Sequence, residues 1–132
     1  MEATATYYYS KVVDLSPEDA EARVREELEE EGFGVLTEID VTATLKKKLD
    51  VDFRPYKILG ACNPPYAHKA LEAEDKIGTM LPCNVIVQDN GDGRTEIAAV
   101  DPVASMQSVE NEGLRPIAEE IRDRLRTVID NV

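Results

Sequence analysis

Between residues 83 and 100 the chain commits itself to an antiparallel pairing, and that commitment removes most of the folds open to it. Two short runs rich in β-branched residues, Cys83–Asp89 and Thr95–Val100, are separated by Asp89-Asn90-Gly91-Asp92-Gly93. Glycines set among Asp and Asn supply the positive-φ positions of a tight turn, so the flanking runs fold back on each other as a hairpin. A purely parallel sheet needs a long crossover after every strand and is thereby excluded.

The other segments alternate between strand and helix signals. Thr4 to Val13, rich in Thr, Tyr and Val, predicts a first strand. A helix follows over about 17–31: Ser16 is a good N-cap, Pro17 suits the first turn, Asp19 favours the helix start, and Gly32 is a left-handed stop. Ala20, Val24 and Leu28 give that helix one apolar stripe against an acidic opposite face. Phe33 to Val41 predicts a strand, and Thr42 is placed to cap a short helix holding Ala43, Leu45 and Leu49. Arg54 to Ala61 predicts a third strand. Asn63-Pro64, a cap followed by proline, opens a helix with Ala67, Ala70 and Leu71. Loops are expected at Lys76 to Leu81 and over 101–113. From Leu114 onward, Ile117, Ala118, Ile121, Leu125, Val128 and Ile129 follow helical spacing.

The predicted order is β-α-β-α-β-α-β-β-α. It implies an α+β two-layer sandwich, with a mixed or largely antiparallel sheet and helices on one face; a small three-layer α/β fold is the alternative. Tyr56, Ile58, Val85, Val87 and Ile97 alternate as a core face should, yet Leu59, Ala61, Ile86, Ala98 and Val100 on the other phase are apolar too. If helices cover one face only, a twofold partner is the simplest cover for the second, so a homodimer is expected. Helices flanking both faces would remove that need.

At 132 residues the chain fits a single domain over 1–132. Twenty-seven acidic against fifteen basic residues leave a formal charge of −12, which repels phosphate backbones and anionic lipid. Nucleic acid and membrane are excluded as expected partners. The acidity fits either a protein adapted to concentrated salt or a mildly acidic cytosolic one, and both stay open. Met1 to Lys11 carries no apolar export signal, and no run approaches the ~20 apolar residues of a membrane helix. Cys62 and Cys83 are too few for a disulfide framework, so reduced thiols and a cytoplasmic location are expected.

The chemistry-bearing residues concentrate between Tyr56 and Asn84. Cys62 ends a strand just before a helix N-terminus, where free N–H groups favour a thiolate. Cys83 opens the next strand after a proline-containing loop. If those strands run antiparallel, the two thiols reach one end of the sheet; if parallel, they sit a strand length apart. Small-molecule binding, a dithiol redox pair, a soft-metal site and plain packing all remain open. A metal would need a third ligand, and His68 is the only histidine, without the close C-x-x-C pairs usual for zinc. Asn63 is expected chiefly as a helix cap, and Asn84 as a loop or ligand contact. Glu38 and Asp40 share a strand face and form a possible carboxylate pair. No calcium loop, phosphate loop or dinucleotide fingerprint is present, and no cofactor is implied. Met106, in the 101–113 loop, is placed to pack on a partner or a pocket.

The segments Leu59-Gly60-Ala61-Cys62-Asn63-Pro64 and Ile77-Gly78-Thr79-Met80-Leu81-Pro82-Cys83-Asn84-Val85, the helix with Ala70-Leu71 and the trailing Asp101-Pro102 resemble domain-of-unknown-function family 302. The resemblance spans nearly the whole chain, weakly before Val35 and strongly from Tyr56 to Asp101. It implies a small α+β fold and a dimer, and it brings no activity. The expectation is therefore a homodimeric small-molecule-binding or regulatory module, not an established enzyme. Its candidate ligand site comprises Cys62, Asn63, Cys83 and Asn84. Cys62, Cys83 and His68 are the weak metal candidates. A thiol-dependent redox or soft-metal protein, or a structural interaction protein, is the alternative.

Overall fold

The computed structural model describes residues 6–132. Thr4 and Ala5 of the predicted first strand, and the first five residues of the stretch read for an export signal, lie outside the described residues. Five strands, β1 (Tyr8–Val13), β2 (Gly34–Asp40), β3 (Tyr56–Cys62), β4 (Cys83–Asp89) and β5 (Thr95–Val100), form one sheet in the order β1-β5-β4-β3-β2. Every neighbouring pair is antiparallel. The helices are α1 (Pro17–Glu30), α2 (Val41–Leu49), α3 (Pro64–Ala73), the single turn α4 (Pro102–Ser105) and α5 (Arg115–Asn131). The fold is α+β. Two segments expected as loops contain helical turns: Asp75–Met80 is a 3₁₀ helix, and 101–113 includes α4 and part of a second 3₁₀ turn, Glu112–Leu114. Asp101 explains the short helix, because its Oδ1 accepts from the N–H groups of Val103 and Ala104.

Local chemistry builds α1 much as its sequence indicates. Ser16 Oγ accepts from Asp19 N at 3.1 Å, and Ala20, Val24 and Leu28 are fully buried. At the far end Gly32 takes φ +88°, Phe33 N donates to Leu28 O and Gly32 N donates to Glu29 O. This is the bonding of a glycine-terminated helix, and Phe33 and Leu28 share the core cluster. α2 departs from expectation at its cap. Asp40, not Thr42, accepts from Ala43 N, while Thr42 Oγ1 donates to Arg54 O and accepts from Tyr56 N, tying α2 to β3. The hairpin turn is closed by Asn90 N donating to Arg94 O, with Gly91 and Gly93 at positive φ.

One face of the sheet carries the core. Leu59 pairs with Val85, Ala61 with Cys83, Val85 with Ala99 and Val87 with Ile97, and these side chains meet Ala20, Val24 and Leu28 of α1 and Ile121, Leu125, Val128 and Ile129 of α5. Full burial of each Leu contributes roughly 2 kcal/mol relative to exposure. The register corrects the predicted phase of β3: Leu59 and Ala61 face the helices, whereas Tyr56 and Ile58 lie opposite. Ser10, Ala98, Ile86, Ile58 and Ile39 stand side by side across all five strands on that second face. Tyr8, Val12 and Ile39 on it are 41%, 39% and 50% exposed.

Candidate functional site

Antiparallel pairing of β3 with β4 brings the end of one and the start of the other together. Ala61 is the register partner of Cys83, so Cys62 stands one residue past it at the same end of the sheet. Beside them lies a cavity of about 250 Å³. Cys62, Asn63, Cys83, Leu81 and Pro82 form its sheet side; Ala67, Ala70 and Leu71 of α3, Met106 and Leu114, and Ile117 and Ile121 of α5 form the rest. Phe33 and Leu36 close it from the start of β2. Leu36 reaches it because β2 carries an irregularity between Val35 and Thr37 that leaves Leu36 without a register partner. A bulge of this kind has no local sequence signal, and neither Leu36 nor Phe33 stood out as a site residue.

Behind the cavity, Gly60 holds a position where any side chain would press on its neighbours. A Cβ there would lie 2.1 Å from Thr37 Oγ1 and 2.7 Å from Pro82 Cγ. The Leu81–Pro82 peptide is cis, and Pro82 follows directly against Gly60. The two motif segments, Gly60 to Pro64 and Leu81 to Cys83, thus meet at one place in the fold.

The predicted site residues divide. Cys62, Asn63 and Cys83 line the cavity, whereas Asn84 is exposed on the opposite sheet face, in a groove with Tyr7, Tyr8, Ile86 and Val100. Strand alternation alone separates Asn84 from its neighbour Cys83. Asn63 occupies the N-cap position of α3, but its side chain makes no capping bond there. Instead its Nδ2 donates to Glu31 O at 3.1 Å and so satisfies a carbonyl at the C-terminus of α1, to which Arg124 also donates at 3.4 Å. His68 lies on the exposed side of α3, 3.7 Å from Glu72, and is not part of the cavity wall. Among the described residues, no three of His, Cys, Asp and Glu gather as a metal site. Glu38 and Asp40 are both committed elsewhere. Glu38 and Glu21 bind Lys57 and Arg25 in a four-residue ion cluster, and Asp40 caps α2. Burial pushes the Glu21 carboxyl up, yet hydrogen bonds from Lys57 and Arg25 outweigh it and hold that carboxyl below its usual range.

Cys83 and Cys62 differ in exposure. Cys62 is half-buried and Cys83 is buried, and both are free thiols. Burial, reinforced by a negative charge on Cys62, pushes the Cys83 thiol up to about 11. The neutral thiol is therefore the form that the fold accommodates. Its stabilising contribution is fully present below the ordinary value of 9.0 and is lost as pH rises through about 11. Compared with Cys83→Ala, the wild type should lose on the order of 2 kcal/mol of extra stability between those two pH values. Urea unfolding of both proteins at matched alkaline pH measures this, and parallel pH profiles would refute it.

A model of the domain of unknown function DUF302 matches residues 9–132. The chain belongs to the DUF302 family. A crystal structure of an uncharacterized conserved DUF302 protein from Bacillus stearothermophilus superposes with a TM-score of 0.89 at 33% identity, over 96% of this chain and 98% of that one. Among curated proteins, nothing matches. No helix among the described residues is long and apolar enough to cross a membrane.

Proposed function

We propose that this DUF302 protein is a homodimeric small-molecule-binding or regulatory module whose ligand lodges in the cavity beside Cys62 and Cys83. The observation that carries the reading is the cavity itself. It is a concave, mainly apolar cleft walled by the β3–β4 end, α3 and α5, the usual shape of a small-molecule site. Small-molecule sites combine such walls with a few convergent polar groups, and here Asn63 and two thiols supply them. The raised Cys83 thiol argues against a dithiol redox cycle, which needs a ready thiolate. With two reduced thiols, such a module suits the cytoplasm.

Iodoacetamide labelling of the native protein tests whether the cavity opens to solvent. The expected result is modification of Cys62 in the folded state and of Cys83 only after unfolding. If neither thiol reacts before denaturation, the space is a sealed packing void and the reading fails.

The dimer rests on the second sheet face. Five strands about 4.8 Å apart, rising about 3.3 Å per residue, present roughly 500 Å² in projection. Side-chain relief raises the accessible area toward the ~800 Å² per partner of a standard interface. Glu96 is the one charged residue that the strands place on this face, and Gln88 Nε2 donates to it at 3.0 Å. In a chain of net charge −12, this is the surface on which a second copy meets least repulsion. Salt should strengthen the association by screening the remaining carboxylates.

A further inference from the structure

The cavity wall discriminates between classes of ligand. The chain carries 27 acidic and 15 basic residues, yet none of the residues around the cavity bears a charge. Aliphatic carbon, one phenyl ring, two thiols and one amide take their place. An ion brought inside would lose its hydration and find no counter-ion, so charged ligands are selected against. The rim is apolar as well, with Leu36 67% and Leu71 43% exposed.

One atom breaks the pattern. Asn63 is only 7% exposed and lines the cavity, and its Nδ2 is committed to Glu31 O. Its Oδ1 accepts no hydrogen bond among the described residues. That oxygen is not sealed from solvent, so a guest that covers it must replace water's hydrogen bond with its own hydroxyl or amide N–H or leave the acceptor unsatisfied. Resting on the reading that this cavity holds a small molecule, we infer that its guest is uncharged and mainly apolar and presents one hydrogen-bond donor to Asn63 Oδ1. Since an apolar cavity of ~150 Å³ takes benzene, a volume of about 250 Å³ takes a guest of about ten non-hydrogen atoms.

Three probes of similar size separate the parts of this inference: 2-phenylethanol, ethylbenzene and phenylacetate. Each is titrated into the unaltered, isotope-labelled chain and followed by amide chemical shifts, so no variant's folding intervenes. The expected result is saturable shifts at Cys62, Ala67 and Met106 with 2-phenylethanol. Ethylbenzene should bind there up to about tenfold more weakly, having no donor for Asn63. Phenylacetate should be weaker by about a hundredfold or more. Equal affinity for the alcohol and the hydrocarbon would overturn the role of Asn63. Phenylacetate binding as tightly as the alcohol would overturn the uncharged class while leaving the cavity a ligand site. The absence of saturable shifts with all three probes would overturn the ligand-site reading as well.

Discussion

Ile86→Lys is expected to turn the proposed dimer into a 14.7 kDa monomer at micromolar concentration, with the dissociation constant raised at least about a hundredfold. Ile86 lies on the middle strand of the sheet, between Ala98 and Ile58, on the face that α1 and α5 leave open. In a twofold interface each substitution occurs twice, so two ammonium groups would be buried on a face where the strands place one carboxylate, Glu96, and where Arg54 already lies against Gln88 and Tyr56. In the monomer the same lysine reaches water, because Ile86 is only half-buried there. Sedimentation equilibrium of wild type and variant, each with melting followed by circular dichroism, distinguishes dissociation from unfolding. A wild-type mass of one chain at micromolar concentration would remove the dimer outright.

Gly60→Ala should carry the largest cost to stability of any single methyl group added to this chain. The new Cβ would collide with Thr37 Oγ1 and Pro82 Cγ, and overpacking of this kind costs about 1–3 kcal/mol. For a chain of this length that corresponds to a fall in Tm of roughly 3–10 °C. Thr37→Ala introduced together with Gly60→Ala should recover part of the loss, since it removes the nearer obstacle. Pro82 remains, so recovery should be incomplete. A Gly60→Ala protein as stable as wild type to within ~0.5 kcal/mol would show that β2 and the Pro82 segment yield easily. The close packing behind the cavity would then carry no structural weight.

What the sequence made legible follows a physical boundary between local and distant causes. The caps of α1, the left-handed Gly32 and the Asp89–Gly93 turn all act within a few residues, and the structure reproduces them. The strand segments were legible for the same reason, and the hairpin made antiparallel pairing the sound expectation. The phase of β3 was not, because Ile58 and Leu59 are both aliphatic and only the distant register with Val85 decides which one faces the helices. Asn63 is a similar case. Asn before Pro is a good helix cap by local rules, yet Glu31 O, thirty-two residues earlier, takes its side chain. Thr42 was expected to cap α2, but its hydroxyl is held between Arg54 O and Tyr56 N, and Asp40 caps the helix instead.

The candidate site was legible in outline only. Motif spacing drew attention to Cys62, Asn63 and Cys83, which do line one cavity, and Met106 joins them as expected of a residue that packs on a pocket. The motif also drew in Asn84, which strand alternation turns to the other face. Leu36 was invisible, because the bulge that frees it arises from how β2 meets Gly60 and not from anything within β2 alone. Leu114, Ile117 and Ile121 were identified as a helix stripe. Their second role as cavity wall emerges only when the start of α5 packs beside α3.

The central claim is that the space between the β3–β4 end, α3 and α5 is a place built to hold a molecule. Crystals of the unaltered protein soaked with 2-phenylethanol test it most directly. The account predicts the probe inside that space, its hydroxyl about 3 Å from Asn63 Oδ1 and its ring against Met106 and Ile121. A saturated crystal with the space still vacant, and the probe bound only on outer surfaces, would contradict it.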